Sequence, residues 1–140
     1  MLNEREEELK KIIRCFDCWM SLKEEHINFV SFFFENSSAM KIGVYGYGKL
    51  GRHLIKEIRE AGYSPAWIAD RRAGEIQRDF KRNEPNIISP EEIKDVCDYV
   101  IVTTAGDMES IERDISERIN TRVVRLDDML IAVLKRKEML

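Results

Sequence analysis

Lys41-Ile42-Gly43-Val44-Tyr45-Gly46-Tyr47-Gly48-Lys49-Leu50-Gly51, residues 41–51, decides the fold. A short apolar run, a turn with three glycines, and then the apolar stripe Leu50, Leu54, Ile55 and Ile58 read as strand, turn and helix in succession. Each glycine of Gly46-x-Gly48-x-x-Gly51 has its own task. Gly46 permits the tight turn, Gly48 lets backbone approach a pyrophosphate, and Gly51 lets the helix pack closely on the strand. The free N–H groups and positive dipole end of a helix beginning near Lys49 then face the phosphates. Tyr47, Lys49 and Leu50 complete the turn and count with it as cofactor-binding residues. Asp70 lies 19 residues beyond Gly51, at the end of the next apolar run, Pro65 to Ala69, where a carboxylate can accept hydrogen bonds from ribose hydroxyls. The competing reading is a glycine turn kept for packing alone.

Towards the C-terminus strand and helix signals keep alternating. The helix after the glycine turn stops near Gly62. A polar stretch from Arg71 to Glu84 is partly helical around Glu75 to Phe80, and Asn86-Ile87-Ile88 makes a minimal strand. Ser89-Pro90-Glu91-Glu92 combines an N-cap, a proline at the first helical position and a capping-box acid, which predicts a helix start. Asp98 to Thr103 is the clearest central strand, Asp107 caps a helix from Met108 to Ile119, Thr121 to Leu126 is a last strand, and Asp127 or Asp128 caps a helix from Met129 to about Lys137. This alternation predicts an α/β fold: an open parallel sheet of about five strands with helices on both faces.

Asp70 favours a free 2'-hydroxyl and hence NAD, whereas Arg71 and Arg72 directly after it are how such folds accept the 2'-phosphate of NADP. The two arginines read equally well as an exposed basic loop offset by Glu75 and Asp79. Thr103 and Thr104 end the central strand on the edge where open α/β sheets put their ligands, and their small side chains leave room for a ribose or a sugar. A plain strand-to-helix turn fits them as well.

Upstream of residue 41 the composition changes. Residues 1–40 hold 5 basic and 8 acidic side chains, so the whole net charge of -3 lies there, and residues 41–140 hold 18 of each. With the polar stretch Glu35-Asn36-Ser37-Ser38, this divides the chain into a helical appendage, residues 1–38, and a nucleotide-binding domain, residues 39–140. Apolar residues at Leu9, Ile12, Ile13, Phe16, Trp19 and Met20, and again from Ile27 to Phe34, have helical spacing, and a capping box at Ser21-Leu22-Lys23-Glu24 predicts a second helix starting there. About 30 helical residues would reach roughly 45 Å. The aromatic-rich stripe therefore predicts contact with a second copy or a partner protein, against the alternative of an extra layer within the chain.

Among 140 residues, 44% are apolar and 35% charged, enough for one core. Near-balanced charge removes the basic footprint of nucleic-acid binding, and the longest apolar run, Ile27 to Phe34, is far short of the ~20 residues that span a bilayer. The acidic N-terminus lacks an apolar signal core, and three cysteines do not form a disulfide framework, so a cytoplasmic location is expected. Catalytic candidates are thin. His53 and His26 have no matched acid or nucleophile nearby, and Cys15-Phe16-Asp17-Cys18 falls inside a helix without a second ligand pair, so buried thiols are expected rather than a metal site.

The runs KIGVYGYGKLGRHLIKEIREAGYSPAWIADRRAG (41–74) and NIISPEEIKDVCDYVIVTT (86–104) resemble small Rossmann-like NAD(P)-binding domains of nucleotide-sugar and polysaccharide biosynthesis. Such domains form the N-terminal part of sugar acyltransferases and the dinucleotide domain of sugar dehydratases and epimerases. The resemblance covers about residues 41–126. It implies that Gly46, Gly48 and Gly51 hold phosphates and that Asp70 contacts ribose or base, with NAD, NADP or, in the acyltransferase branch, a UDP-sugar as the small-molecule ligand. Two family features are missing: the hexapeptide repeats of the acyltransferases, and a usable Tyr-x-x-x-Lys pair, since Tyr45 and Lys49 flank the phosphate turn itself. Two functions follow as expectations: an NAD(P)-dependent enzyme acting on a nucleotide-sugar, or a non-catalytic module that senses a nucleotide or docks to a partner enzyme.

Overall fold

In the computed structural model, which describes residues 3–35, 40–77, 86–104 and 106–138, five short strands pair in parallel. They are β1 (Ile42–Tyr45), β2 (Pro65–Ala69), β3 (Ile87–Ile88), β4 (Tyr99–Val102) and β5 (Arg122–Arg125), in spatial order β3-β2-β1-β4-β5. This is a Rossmann-like open sheet. Its order reverses between β1 and β4, where Tyr45 pairs with Val102 and the two strands end together. Side chains alternate along the strands. Ile42, Val44, Ile68 and Ile101 enter one core, while Tyr45, Trp67, Ala69, Val100 and Val102 enter the other, so both faces are covered.

Helices α3 (Lys49–Glu60) and α6 (Leu126–Glu138) cover the first face, and α5 (Met108–Arg118) the second; α4 (Ala73–Gln77) packs beside β3. Asp107 caps α5 as expected, its carboxylate accepting the N–H groups of Glu109 and Ser110. Gly62, at φ +91°, ends α3, with the Tyr63 N–H returning to the Ile58 carbonyl. The divide placed at residue 38 and the end of the helix expected around Phe80 lie outside the described residues.

Several helix boundaries differ from expectation, beginning with α4, which starts at Ala73 rather than Glu75. The helix predicted at Ser89 is a single 3-10 turn, Pro90–Glu92, although the Glu92 carboxylate does accept from the Ser89 N–H and hydroxyl. The ten residues from Ser89 to Asp98 must cross three strand spacings and return along a strand length, roughly 20 Å, whereas ten helical residues rise about 15 Å. The chain therefore leaves the helix at Ile93, whose backbone is extended, and buries Ile93 and Cys97 on its way to β4. At the C-terminal end, α6 begins directly at Leu126, so Asp127 and Asp128 sit inside its first turn rather than before it.

Two N-terminal helices form, but the break is not at Ser21. Helix α1 (Glu4–Glu24) runs straight through that residue, because Leu22 is fully buried and Lys23 reaches the Glu57 carboxylate on α3. It ends where His26 takes φ +60°, with His26 and Ile27 donating back to the Lys23 and Leu22 carbonyls, and Asn28 then caps α2 (Phe29–Phe33). The two helices fold back instead of extending. Helix α1 runs in the same direction as α3 and α6, with Glu8 and Lys11 near Leu50 and Leu126 at one end and Lys23 beside Glu57 at the other. Trp19, Phe29, Val30 and Phe34 join the first core, Phe34 packing edge-on against Tyr99 at 5.0 Å. The aromatic stripe is thus used within the chain. On α1, Leu9, Ile13 and Met20 remain exposed.

Candidate functional site

The turn after β1 is held from both neighbouring strands. Gly46, at φ +112°, donates its N–H to the Ala69 carbonyl of β2, and a β-carbon there would stand 2.4 Å from Thr103 Oγ1. A β-carbon on Gly51 would stand 2.1 Å from the Gly46 carbonyl oxygen, so the first turn of α3 rests directly on the backbone of the turn. Thr103, just past β4, donates its hydroxyl to the Tyr45 and Gly46 carbonyls at 3.2 Å each. Gly48 differs from the other two. Its backbone is extended (φ -89°), a β-carbon would meet nothing within 4 Å, and it is the N-cap of α3 with no side chain to bond the helix's first N–H groups.

Asp70 is 5% exposed, and its carboxylate is engaged within the chain. One oxygen accepts the Tyr47 N–H at 2.7 Å, the other the Arg72 N–H at 2.8 Å, and the Arg72 guanidinium lies 3.4 Å away. Burial opposes its charge, but these donors outweigh it and hold the carboxyl below the usual carboxylate range. Asp70 therefore clasps the glycine turn to the end of β2, a role that sequence spacing does not reveal.

The remaining predicted residues divide between two spaces that meet at exposed Thr104. On the β2 side, Tyr45, Asp70, Arg71, Arg72, Thr104 and Asp107 line a cleft of about 530 Å³. Arg71 is exposed, and Tyr45 beside it favours its charged form and raises its pKa further. On the β5 side, Leu50, Thr103, Thr104 and Asp127 face Lys11, Ile12 and Cys15 of α1 across a cavity of about 40 Å³. There Arg125 is held by both Asp127 carboxylate oxygens, at 3.1 and 3.2 Å. Lys49 is exposed at the start of α3. The Tyr47 side chain turns away into the first core, so only its backbone serves the turn.

None of the other candidates gains a catalytic neighbourhood. His53 lies edge-on to Phe16 and Trp19, with ring centroids 5.9 and 6.1 Å away, and His26 occupies the turn after α1. Among the described residues no three His, Cys, Asp or Glu side chains are grouped to hold a metal ion, and no helix is long and apolar enough to cross a membrane. The thiols of Cys15, Cys18 and Cys97 are free. Burial, with Asp127 and Cys18 nearby, pushes the Cys15 thiol from 9.0 up to about 12, so it stays protonated and is a poor nucleophile at neutral pH. A thiol raised on folding stabilises the fold below its unfolded pKa, and that contribution is lost as pH climbs through the folded value. Melting temperature is therefore expected to fall more steeply from pH 9 towards 12 in the parent than in Cys15→Ala; parallel curves would contradict this.

Two residues outside the predicted set also shape the domain. Gly43 pairs with Trp67, whose indole would lie 2.6 Å from a β-carbon at 43. Glu57, 1% exposed, carries the N-terminal helices through Phe29 and Lys23. A charge inside the apolar stripe Leu54, Ile55, Ile58 was the signal for it. Comparison with protein-family models, curated proteins and solved structures finds no match for this chain.

Proposed function

We propose that the chain binds a nucleotide, its diphosphate lying over Gly48 at the N-terminus of α3 and its nucleoside in the cleft lined by Tyr45, Asp70, Arg72 and Thr104. The observation that carries this reading is Gly48. Gly46 and Gly51 are glycine for reasons internal to the fold, whereas the space beside Gly48 is open and adjoins uncapped N–H groups, as a phosphate requires. NAD, NADP and a UDP-sugar are the candidate ligands, with the resemblance to nucleotide-sugar enzymes as the reason for the last. Asp70 acts chiefly by holding the turn, and the exposed Arg71 and Arg72 supply positive charge at the rim. Of the two functional classes, the non-catalytic module is favoured over the enzyme. A nicotinamide or sugar would have to react beyond Thr103 and Thr104, where the cavity measures about 40 Å³. Any contact with a second copy or a partner protein would use the outer strip of α1, Leu9, Ile13 and Met20.

Thermal shift with NAD, NADH, NADP, UDP and a UDP-sugar tests the reading, since a ligand selective for the folded state raises stability. At least one is expected to raise the melting temperature at millimolar concentration, and no shift with any of them refutes nucleotide binding. Gly48→Ala is expected to change stability by no more than about 1 kcal/mol, because lost capping and gained backbone rigidity oppose each other. The same substitution is expected to abolish the ligand shift. An undiminished shift would remove Gly48 from the site.

A further inference from the structure

We infer that α1 occupies the place of a ligand's second half, so that the site takes a nucleoside diphosphate rather than a dinucleotide or a nucleotide-sugar. This inference rests on the reading of the glycine turn as a phosphate site and narrows it to one ligand class.

The argument is one of volume on the two sides of the switch point. A ligand whose diphosphate lies over Gly48 extends one way towards β2 and the other way towards β5. The β2 side offers about 530 Å³, within the range of roughly 300–1,000 Å³ typical of small-molecule sites. The β5 side offers about 40 Å³, room for about three waters at 10–15 Å³ each, and too little for a second nucleoside or a hexose.

What fills the β5 side is α1. Cys15 is 5% exposed and belongs to the first core, and Ile12, one turn earlier, is half-buried against the same cavity. Opposite them Leu50 comes from the first turn of α3 and Asp127 from the first turn of α6, the latter fixed by Arg125. Helix α1 is anchored further along by Trp19 and Leu22 in the core and by Lys23 on Glu57. The wall is therefore built into the fold, and a longer ligand would have to displace a helix held along its length.

Calorimetric titration of the full chain with two matched pairs, ADP against NAD and UDP against UDP-glucose, tests this. For whichever base binds, the diphosphate is expected to bind at least as tightly as its extended partner. Ile12→Ala, which widens the β5 cavity, is expected to improve the extended partner at least threefold relative to the diphosphate. An extended ligand bound tenfold or more tightly than its diphosphate by the parent chain overturns the inference while leaving nucleotide binding intact. An Ile12→Ala chain that folds as the parent does and leaves the ratio unchanged counts against α1 as the wall. Failure of all four ligands to bind, with no thermal shift from NADP, overturns the nucleotide reading itself, and this inference with it.

Discussion

Gly51→Ala is expected to cost about 3 kcal/mol or more and to lower the melting temperature by roughly 10 °C, on a domain whose whole stability is of order 5–15 kcal/mol. The added methyl would stand 2.1 Å from the Gly46 carbonyl oxygen and 2.9 Å from its carbon. Neither is the end of a flexible side chain. Gly46 is held by Ala69 and by Thr103, so relief requires α3 to lift from the turn, which opens the core lined by Leu54 and Ile58. Thermal melting followed by circular dichroism measures the loss, with Gly48→Ala as control, three positions away in the same motif and expected to melt near the parent. Melting of Gly51→Ala within about 2 °C of the parent would show that the turn and helix are not in the contact described.

Glu57→Ala is the second large effect, about 3 kcal/mol. The carboxylate accepts the Phe29 N–H at 3.1 Å and pairs with Lys23, joining the start of α2 and the end of α1 to α3. Alanine leaves the Phe29 N–H buried without its acceptor, worth about 1–3 kcal/mol, and leaves a cavity beside it. Loss of the ion pair adds little, because Lys23 is 40% exposed and keeps Glu60 at 3.3 Å. Glu57→Gln retains an acceptor for Phe29 and is expected to cost only about half as much. Trp19 packs edge-on to Phe29 at 5.2 Å, so in a Trp67→Phe background, which removes the other tryptophan, its fluorescence reports whether the N-terminal helices undock before the sheet unfolds. Equal stability of the alanine and glutamine variants would refute the role given to the Phe29 bond.

Much of the fold was legible because it depends on near neighbours. The short continuous apolar runs at Ile42 to Tyr45 and Tyr99 to Val102, the Asp107 cap and the glycine that ends α3 each involve residues within a few positions. Where a local signal met a longer-range demand, the demand prevailed. The box at Ser21 gave way to Leu22 and Lys23, which have partners on other elements, and the helix signal at Ser89 gave way to the distance the chain must cross. Of the candidate site, the turn and its three glycines were legible, and the structure separates their tasks. The destination of the Asp70 carboxylate was not, because its partner Tyr47 lies 23 residues away and is reached only when β1 and β2 pair.

The sequence by itself determined the order of strands and helices, the parallel sheet and the place of the glycine turn, since side-chain periodicity and glycine's freedom at positive φ act over a few residues. Only the tertiary structure decided where the N-terminal helices go and how much room the switch point leaves. Those depend on Cys15 and Ile12 meeting Asp127, more than a hundred residues away, and such contacts are selected by the packing of the whole core rather than by any local pattern.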